Sequence, residues 1–175
     1  LNFDSLPKYQ RNNIQGVVCS IYKLDIPVSE ENIVNGIANV SQNAGLKGRW
    51  QTLSTSPKVI CDCGHNEAAF EFLKEELEKS DYTNLFIVIG MVKDKNHSPI
   101  LELLPKDAFY IFTEPTIPRK LNAVDLQQIA LDHNLEGIVI EDVNAAVRFA
   151  KEKANHDDFI FIGGSNFVIA ELEDL

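Results

Sequence analysis

The chain has 175 residues, 45% of them hydrophobic and 24% charged, which is enough for about one domain with a core of its own. Sixteen Lys and Arg stand against 26 Asp and Glu, a formal net charge of −10, so a broad nucleic-acid surface and an anionic membrane are excluded as expected partners. No apolar run approaches the roughly 20 residues of a membrane helix, and the opening LNFDSLPKYQ has no signal-peptide pattern.

Residues 1–46 are polar and helix-like. Ile14, Val17, Val18, Ile21 and Leu24 recur on one helical face. After Pro27, Ser29 offers a cap with Glu30 and Glu31 behind it, and Ile33, Ile37 and Val40 predict a second helix that stops near Gly45. Two such helices bury little surface alone, which predicts that they close something larger upstream. The chain also starts with Leu rather than Met, so a fragment, or the loss of a tag, is expected.

From residue 58 the rhythm changes. Short apolar runs at Lys58–Asp62, Leu85–Gly90, Phe109–Thr113, Gly137–Glu141 and Phe159–Gly163 lack alternation and read as strands buried on both faces. Between them lie helical stripes: Ala69, Phe72, Leu73 and Leu77; Leu126, Ile129, Ala130 and His133; then Ala146, Val147 and Ala150 behind the cap candidate Asp142. The alternation predicts an α/β fold, an open, largely parallel sheet of about five or six strands with helices on both faces. Ligands of such sheets gather beyond the carboxyl ends of the strands, in the loops after residues 62, 90, 113, 141 and 163.

Four segments carry candidate chemistry. Cys61-Asp62-Cys63-Gly64-His65-Asn66 leaves a strand and enters a helix; Asp62 suits a diol, His65 a carboxylate or phosphate, and the bland alternative is that Asn66 caps a helix and Asp62 a turn. Gly48-Arg49-Trp50-Gln51 presents a guanidinium suited to phosphate, or a solvated linker. Gly90-Met91-Val92-Lys93-Asp94-Lys95 could face a ligand or water. Gly163-Gly164-Ser165-Asn166 lets backbone approach a ligand, with Ser165 capping the next helix or offering its hydroxyl. His97 is expected to start a helix, His133 to sit at a core edge and His156 in an acidic turn. Phosphate-loop, dinucleotide and serine-hydrolase signatures are absent. Cys19, Cys61 and Cys63 make no disulfide framework and no zinc spacing, which favours a reducing cytoplasm.

In this order the segments resemble the C-terminal part of the folylpolyglutamate synthase/dihydrofolate synthase family, of the Mur ligase superfamily. Gln10-Arg11-Asn12-Asn13 is similar to the Gln-x-x-Asn helix that closes the family's central ATPase domain, and Gly48-Arg49-Trp50-Gln51 to its Gly-Arg-x-Gln. Asp62 to Glu67 resembles Asp-Gly-Ala-His-Asn-Pro, with Cys63, Gly64 and Glu67 departing from it. Gly90 to Lys95 resembles Gly-Met-x-x-Asp-Lys, which favours the folate branch, and Gly164-Ser165 the final Gly-Ser.

The resemblance implies a helical tail of the central domain over 1–46 and a Rossmann-like Mur ligase C-terminal domain over 47–175. It implies ATP-dependent addition of L-glutamate to folate, or to dihydropteroate, through an acyl phosphate. It assigns Asn13 to adenine, Arg49 to phosphates, Asp62 to ribose, and His65 and Ser165 to glutamate. No residue is expected to act as a nucleophile. ATP and magnesium are the implied cofactors, with phosphate loop and magnesium ligands upstream, the ATPase domain of the same protein as partner, and a monomer as the assembly. A cell-wall Mur ligase domain and a non-catalytic α/β binding module are the alternatives.

Overall fold

The computed structural model describes residues 8–24, 27–94 and 96–175. Lys95, the last residue of the segment singled out after the second apolar run, lies outside them. The chain divides into two compact units, one up to Lys47 and one from Gly48 to Leu175.

The first unit holds α1 (Lys8–Lys23), α2 (Glu30–Ala38) and α3 (Val40–Ala44). Ser29 caps α2 by accepting from the Asn32 N–H, and Gly45 ends α3 with a left-handed backbone. The single helix predicted through Val40 is instead two. Asn39 breaks it, its side-chain amide donating to the Asn35 carbonyl at 2.9 Å. Short polar side chains compete with the helical ladder in this way.

The second unit is built on a six-stranded sheet of order β1-β2-β6-β3-β4-β5. Its strands are β1 (Gln51–Thr55), β2 (Lys58–Cys61), β3 (Leu85–Ile89), β4 (Phe109–Phe112), β5 (Gly137–Val139) and β6 (Phe159–Gly163). Only β1 runs antiparallel to its neighbour, so β2, β6, β3, β4 and β5 end at one edge. The sequence does not announce β1. It is a polar edge strand with a register irregularity between Thr52 and Ser54, and an edge strand needs no buried apolar run.

Alternate strand residues feed two cores. Ile60, Ile87, Ile89, Tyr110, Phe112, Phe159 and Phe161 pack on one face under α4 (Glu67–Glu78), α5 (Ser98–Leu103) and α6 (Ala123–Leu131). Val59, Cys61, Val88, Ile111, Ile160 and Ile162 pack on the other under α7 (Val143–Lys153) and α8 (Asn166–Ala170). Burying each of the larger side chains stabilises the fold by about 1.5–3 kcal/mol. The stripe of α4 is rotated from the sequence expectation: Phe70, Leu73 and Leu77 are buried, while Phe72 meets the Trp50 ring edge-on, 5.1 Å between centroids.

Caps place the loops at the carboxyl edge. Asn66 accepts from the Ala69 N–H at the start of α4, Asp142 from the Ala145 N–H at the start of α7, and Ser165 from the Phe167 N–H at the start of α8. At α6 the adjacent Asn122 makes no side-chain cap bond. Glu114 takes that place from a distance, accepting from the Ala123 N–H at 2.7 Å while paired with Lys120.

Candidate functional site

Two of the sequence segments form one physical unit around Asp62. This residue is 5% exposed; Oδ1 accepts from the Gly64 N–H at 2.6 Å and Oδ2 from the Trp50 N–H at 2.7 Å. The Cys63 N–H donates to the Gly48 carbonyl at 2.8 Å, and the Gly48 N–H to Oε1 of Gln51 at 2.8 Å. Gly48 has φ +65°, and a Cβ there would lie 2.6 Å from the Cys63 sulfur and 2.7 Å from Ile169 Cγ2. The glycine is therefore required twice, by backbone conformation and by space.

Arg49, exposed beside this turn, bonds the Cys63 thiol. Burial pushes that thiol up and the guanidinium opposes the shift. Burial, with Cys63 and Asp62 adding to it, pushes the Cys61 thiol up to about 12. Neither cysteine is an activated nucleophile.

Beyond the ends of β2, β3 and β6 lies a cleft of about 350 Å³, whose lining includes His65, Asp94, His97, Arg119, Ser165 and Phe167. His65 is exposed, with Nδ1 3.2 Å from the Cys63 carbonyl oxygen. Ser165 is 2% exposed. Its Oγ accepts the cap bond of α8, and a hydroxyl in that state keeps its hydrogen to donate. Gly164 has φ +93°, and a Cβ there would meet the Gly90 carbonyl oxygen at 2.6 Å. The exits of β3 and β6 are thus in direct contact.

The loops after β3 and β4 are stitched together. The Lys93 N–H donates to the Arg119 carbonyl at 3.0 Å and the Leu121 N–H to the Met91 carbonyl at 2.9 Å. Arg119 brings its guanidinium 5.2 Å from the Phe167 ring centroid and 3.9 Å from Asp94.

The structure therefore brings His65 and Ser165 into one cleft, and joins Arg49 and Asp62 through one turn. Neither Arg49 nor Asp62 lines the cleft. Asn13 is exposed on α1, in the first unit. Of the other histidines, His133 has Nε2 3.2 Å from Ser98 Oγ, and His156 pairs with Asp157 at 3.0 Å. Sequence reasoning missed His97 and Arg119 as lining residues. The signal for Arg119 was its loop, which leaves a strand at the carboxyl edge. Among the described residues no group of three or more His, Cys, Asp or Glu side chains is placed to hold a metal ion, and no helix is long and apolar enough to cross a membrane.

Residues 48–166 match the family of the Mur ligase, glutamate ligase domain. The chain belongs to that family. This Mur ligase domain is similar to a probable bifunctional folylpolyglutamate synthase/dihydropteroate synthase of Haloferax volcanii, 30% identical over 95% of the chain and 20% of the relative. It is also similar to the dihydrofolate synthase/folylpolyglutamate synthase of Escherichia coli, 29% identical over 97% of the chain and 39% of the relative. Among solved structures, E. coli FolC in complex with DHPP and ADP superimposes with a TM-score of 0.75 at 28% identity, covering 94% of this chain and 38% of that one. A bifunctional folylpolyglutamate synthase/dihydrofolate synthase with Mn, AMPPNP and L-glutamate bound gives a TM-score of 0.67 at 28% identity, covering 83% of this chain and 35% of that one. The chain thus spans about two-fifths or less of these relatives.

Proposed function

We propose that this chain is the C-terminal part of an ATP-dependent ligase that adds L-glutamate to a folate, extending a tetrahydrofolate polyglutamate tail, converting dihydropteroate to dihydrofolate, or both. The observation that carries the reading is the cleft at the carboxyl edge of the sheet. It gathers an imidazole, a guanidinium and a buried hydroxyl, all able to donate to a carboxylate. The likeness to E. coli FolC bound to DHPP and ADP supports the same reading.

In the proposed reaction the terminal phosphoryl group of ATP passes to the substrate carboxylate and ADP leaves. The amine of glutamate attacks the acyl phosphate, phosphate departs and an amide remains. This chain supplies positioning and charge, not a nucleophile. His65 and Ser165 hold the glutamate, and the exposed Arg49 faces the phosphates. Asp62 first fixes the turn that carries Arg49 and His65, through its bonds to Trp50 and Gly64; its remaining lone pairs suit a ribose diol. Asn13 is assigned to adenine, and its exposed amide fits that part in kind. The magnesium ligands and phosphate loop are assigned to an upstream ATPase domain of the same cytoplasmic, monomeric protein. Glu67, exposed in the first turn of α4, stands where the family motif has proline, and its charge is best tolerated turned away from a bound glutamate.

The test uses the full-length protein with ATP, magnesium and labelled L-glutamate, offered dihydropteroate, tetrahydrofolate or UDP-muramyl substrates. Glutamate addition to a pteroate or folate is expected. Incorporation into the UDP-muramyl acceptor alone would move the chain to the cell-wall branch. No incorporation into any acceptor would favour a non-catalytic module.

A further inference from the structure

We infer that Cys63 is a positioning residue for the reaction: its thiol accepts a hydrogen bond from the Arg49 guanidinium and fixes the direction in which Arg49 meets the phosphates of ATP. The inference rests on the ligase reading above and on the assignment of Arg49 to phosphate, and it adds a residue to which that reading gives no part. Arg49 stands between two residues with left-handed backbone, Gly48 at φ +65° and Trp50 at φ +47°. An aromatic residue adopts that region only when its surroundings impose it. Here Asp62 accepts from the Trp50 N–H at 2.7 Å, and the Trp50 ring packs on Phe72 and Phe161 at 5.1 and 6.2 Å between centroids. The backbone that carries Arg49 is therefore fixed although its side chain is exposed.

Cys63 extends that control to the side chain. Its N–H donates to the Gly48 carbonyl at 2.8 Å, and its sulfur lies so close that a Cβ on Gly48 would come within 2.6 Å of it. The sulfur thus abuts the residue before Arg49 and accepts from the guanidinium. Burial keeps the thiol protonated, so it serves as a neutral acceptor and not as a nucleophile. One bond to sulfur occupies one of five guanidinium donors and leaves the others for phosphate. An arginine already held in place loses less freedom when the phosphate arrives, which favours binding. The Asp-Gly-Ala-His-Asn-Pro motif has glycine where this chain has Cys63, and glycine has no side-chain atom to offer Arg49.

The experiment measures steady-state kinetics of the full-length protein and of its Cys63→Ala, Cys63→Ser and Arg49→Ala variants, with the Cys63→Ala/Arg49→Ala double variant. Cys63→Ala is expected to raise KM for ATP roughly twofold to tenfold, the range for one lost hydrogen bond, while KM for glutamate holds. Cys63→Ser, whose hydroxyl accepts from the same place, recovers part of the loss. In the Arg49→Ala background Cys63→Ala adds nothing, because the thiol acts through the arginine. If Arg49→Ala raises KM for ATP and Cys63→Ala does not, the inference fails alone. It fails equally if Cys63→Ala raises KM for ATP by the same factor in both backgrounds, or raises KM for glutamate as much, since either marks a loosened turn instead of a misdirected guanidinium. An Arg49→Ala variant with wild-type KM for ATP overturns the phosphate assignment and the inference with it. A wild-type protein that adds no glutamate overturns the ligase reading beneath both.

Discussion

Asp62 receives backbone N–H groups from both sides of one turn, Trp50 from the segment before β1 and Gly64 from the segment after β2. Asp62→Asn keeps the volume but offers one acceptor oxygen instead of two, so one buried N–H loses its partner. The expected loss is about 1–3 kcal/mol of stability, read from urea denaturation of the chain. Arg49→Ala should separate cleanly from it. The side chain is exposed, so stability should hold, while KM for ATP in the full-length protein rises; an unchanged KM would remove Arg49 from the phosphate site.

The individual residue types were legible because each has a local signature. Ser165 precedes a helix and Asp62 follows an apolar run, and both stand where such residues satisfy backbone donors. Arg119 was legible only as a member of a loop that leaves a strand at the carboxyl edge. Nothing in its own segment reveals that the loop after β4 pairs with the loop after β3; that adjacency follows from strand order, which is a tertiary property.

Among the elements, β3 and β6 are tied at their starts by Asp158. Its oxygens accept from the Asn84 N–H at 2.9 Å, the Asn84 side-chain amide at 2.8 Å and the Asn155 N–H at 2.7 Å. Burial would raise its pKa, but the hydrogen bonds from Asn155 and Asn84 outweigh burial and hold it below the ordinary carboxylate value. The ionised form is therefore the one the fold favours. Its contribution is complete above an unfolded value of about 3.9 and is lost as pH falls through the lower folded value. Urea midpoints measured from pH 7 down to pH 2 should fall on the acid side, and Asp158→Ala should be less stable at pH 7 with a shallower acid loss. An identical pH profile in the variant would assign the acid transition to other carboxylates.

At this scale the five strands β2 to β6 were readable as apolar runs between helices, but β5, expected to be buried on both faces, is a half-buried edge strand. The ends of β2 to β5 were overrun by a residue or two, through Asp62, Gly90, Thr113 and Ile140–Glu141, while β6 matches its run; the first four of these residues still donate a backbone N–H to the neighbouring strand. The edge strand β1 was invisible for the opposite reason: a polar strand with one neighbour carries no apolar run to find.

For the molecule as a whole, both cores draw every member from the unit that starts at Gly48. Residues 48–175 alone should therefore unfold cooperatively at the same urea midpoint as the 175-residue chain, with circular dichroism as the readout. A broad or missing transition would show that the first unit contributes to the core. The 175-residue chain should also fail to add glutamate to a folate with ATP, because this chain provides one wall of the proposed site. Turnover by the chain alone would overturn that division of labour.

The stitching of Met91 and Lys93 to Leu121 and Arg119 has an evolutionary consequence. Loops that share main-chain bonds cannot drift separately: lengthening one pulls the other out of alignment. A descendant that reshaped this edge of the cleft would have to rewrite both stretches in concert, although nearly thirty positions of sequence divide them. Chimeras that exchange a single loop with a relative should lose activity that a double exchange restores.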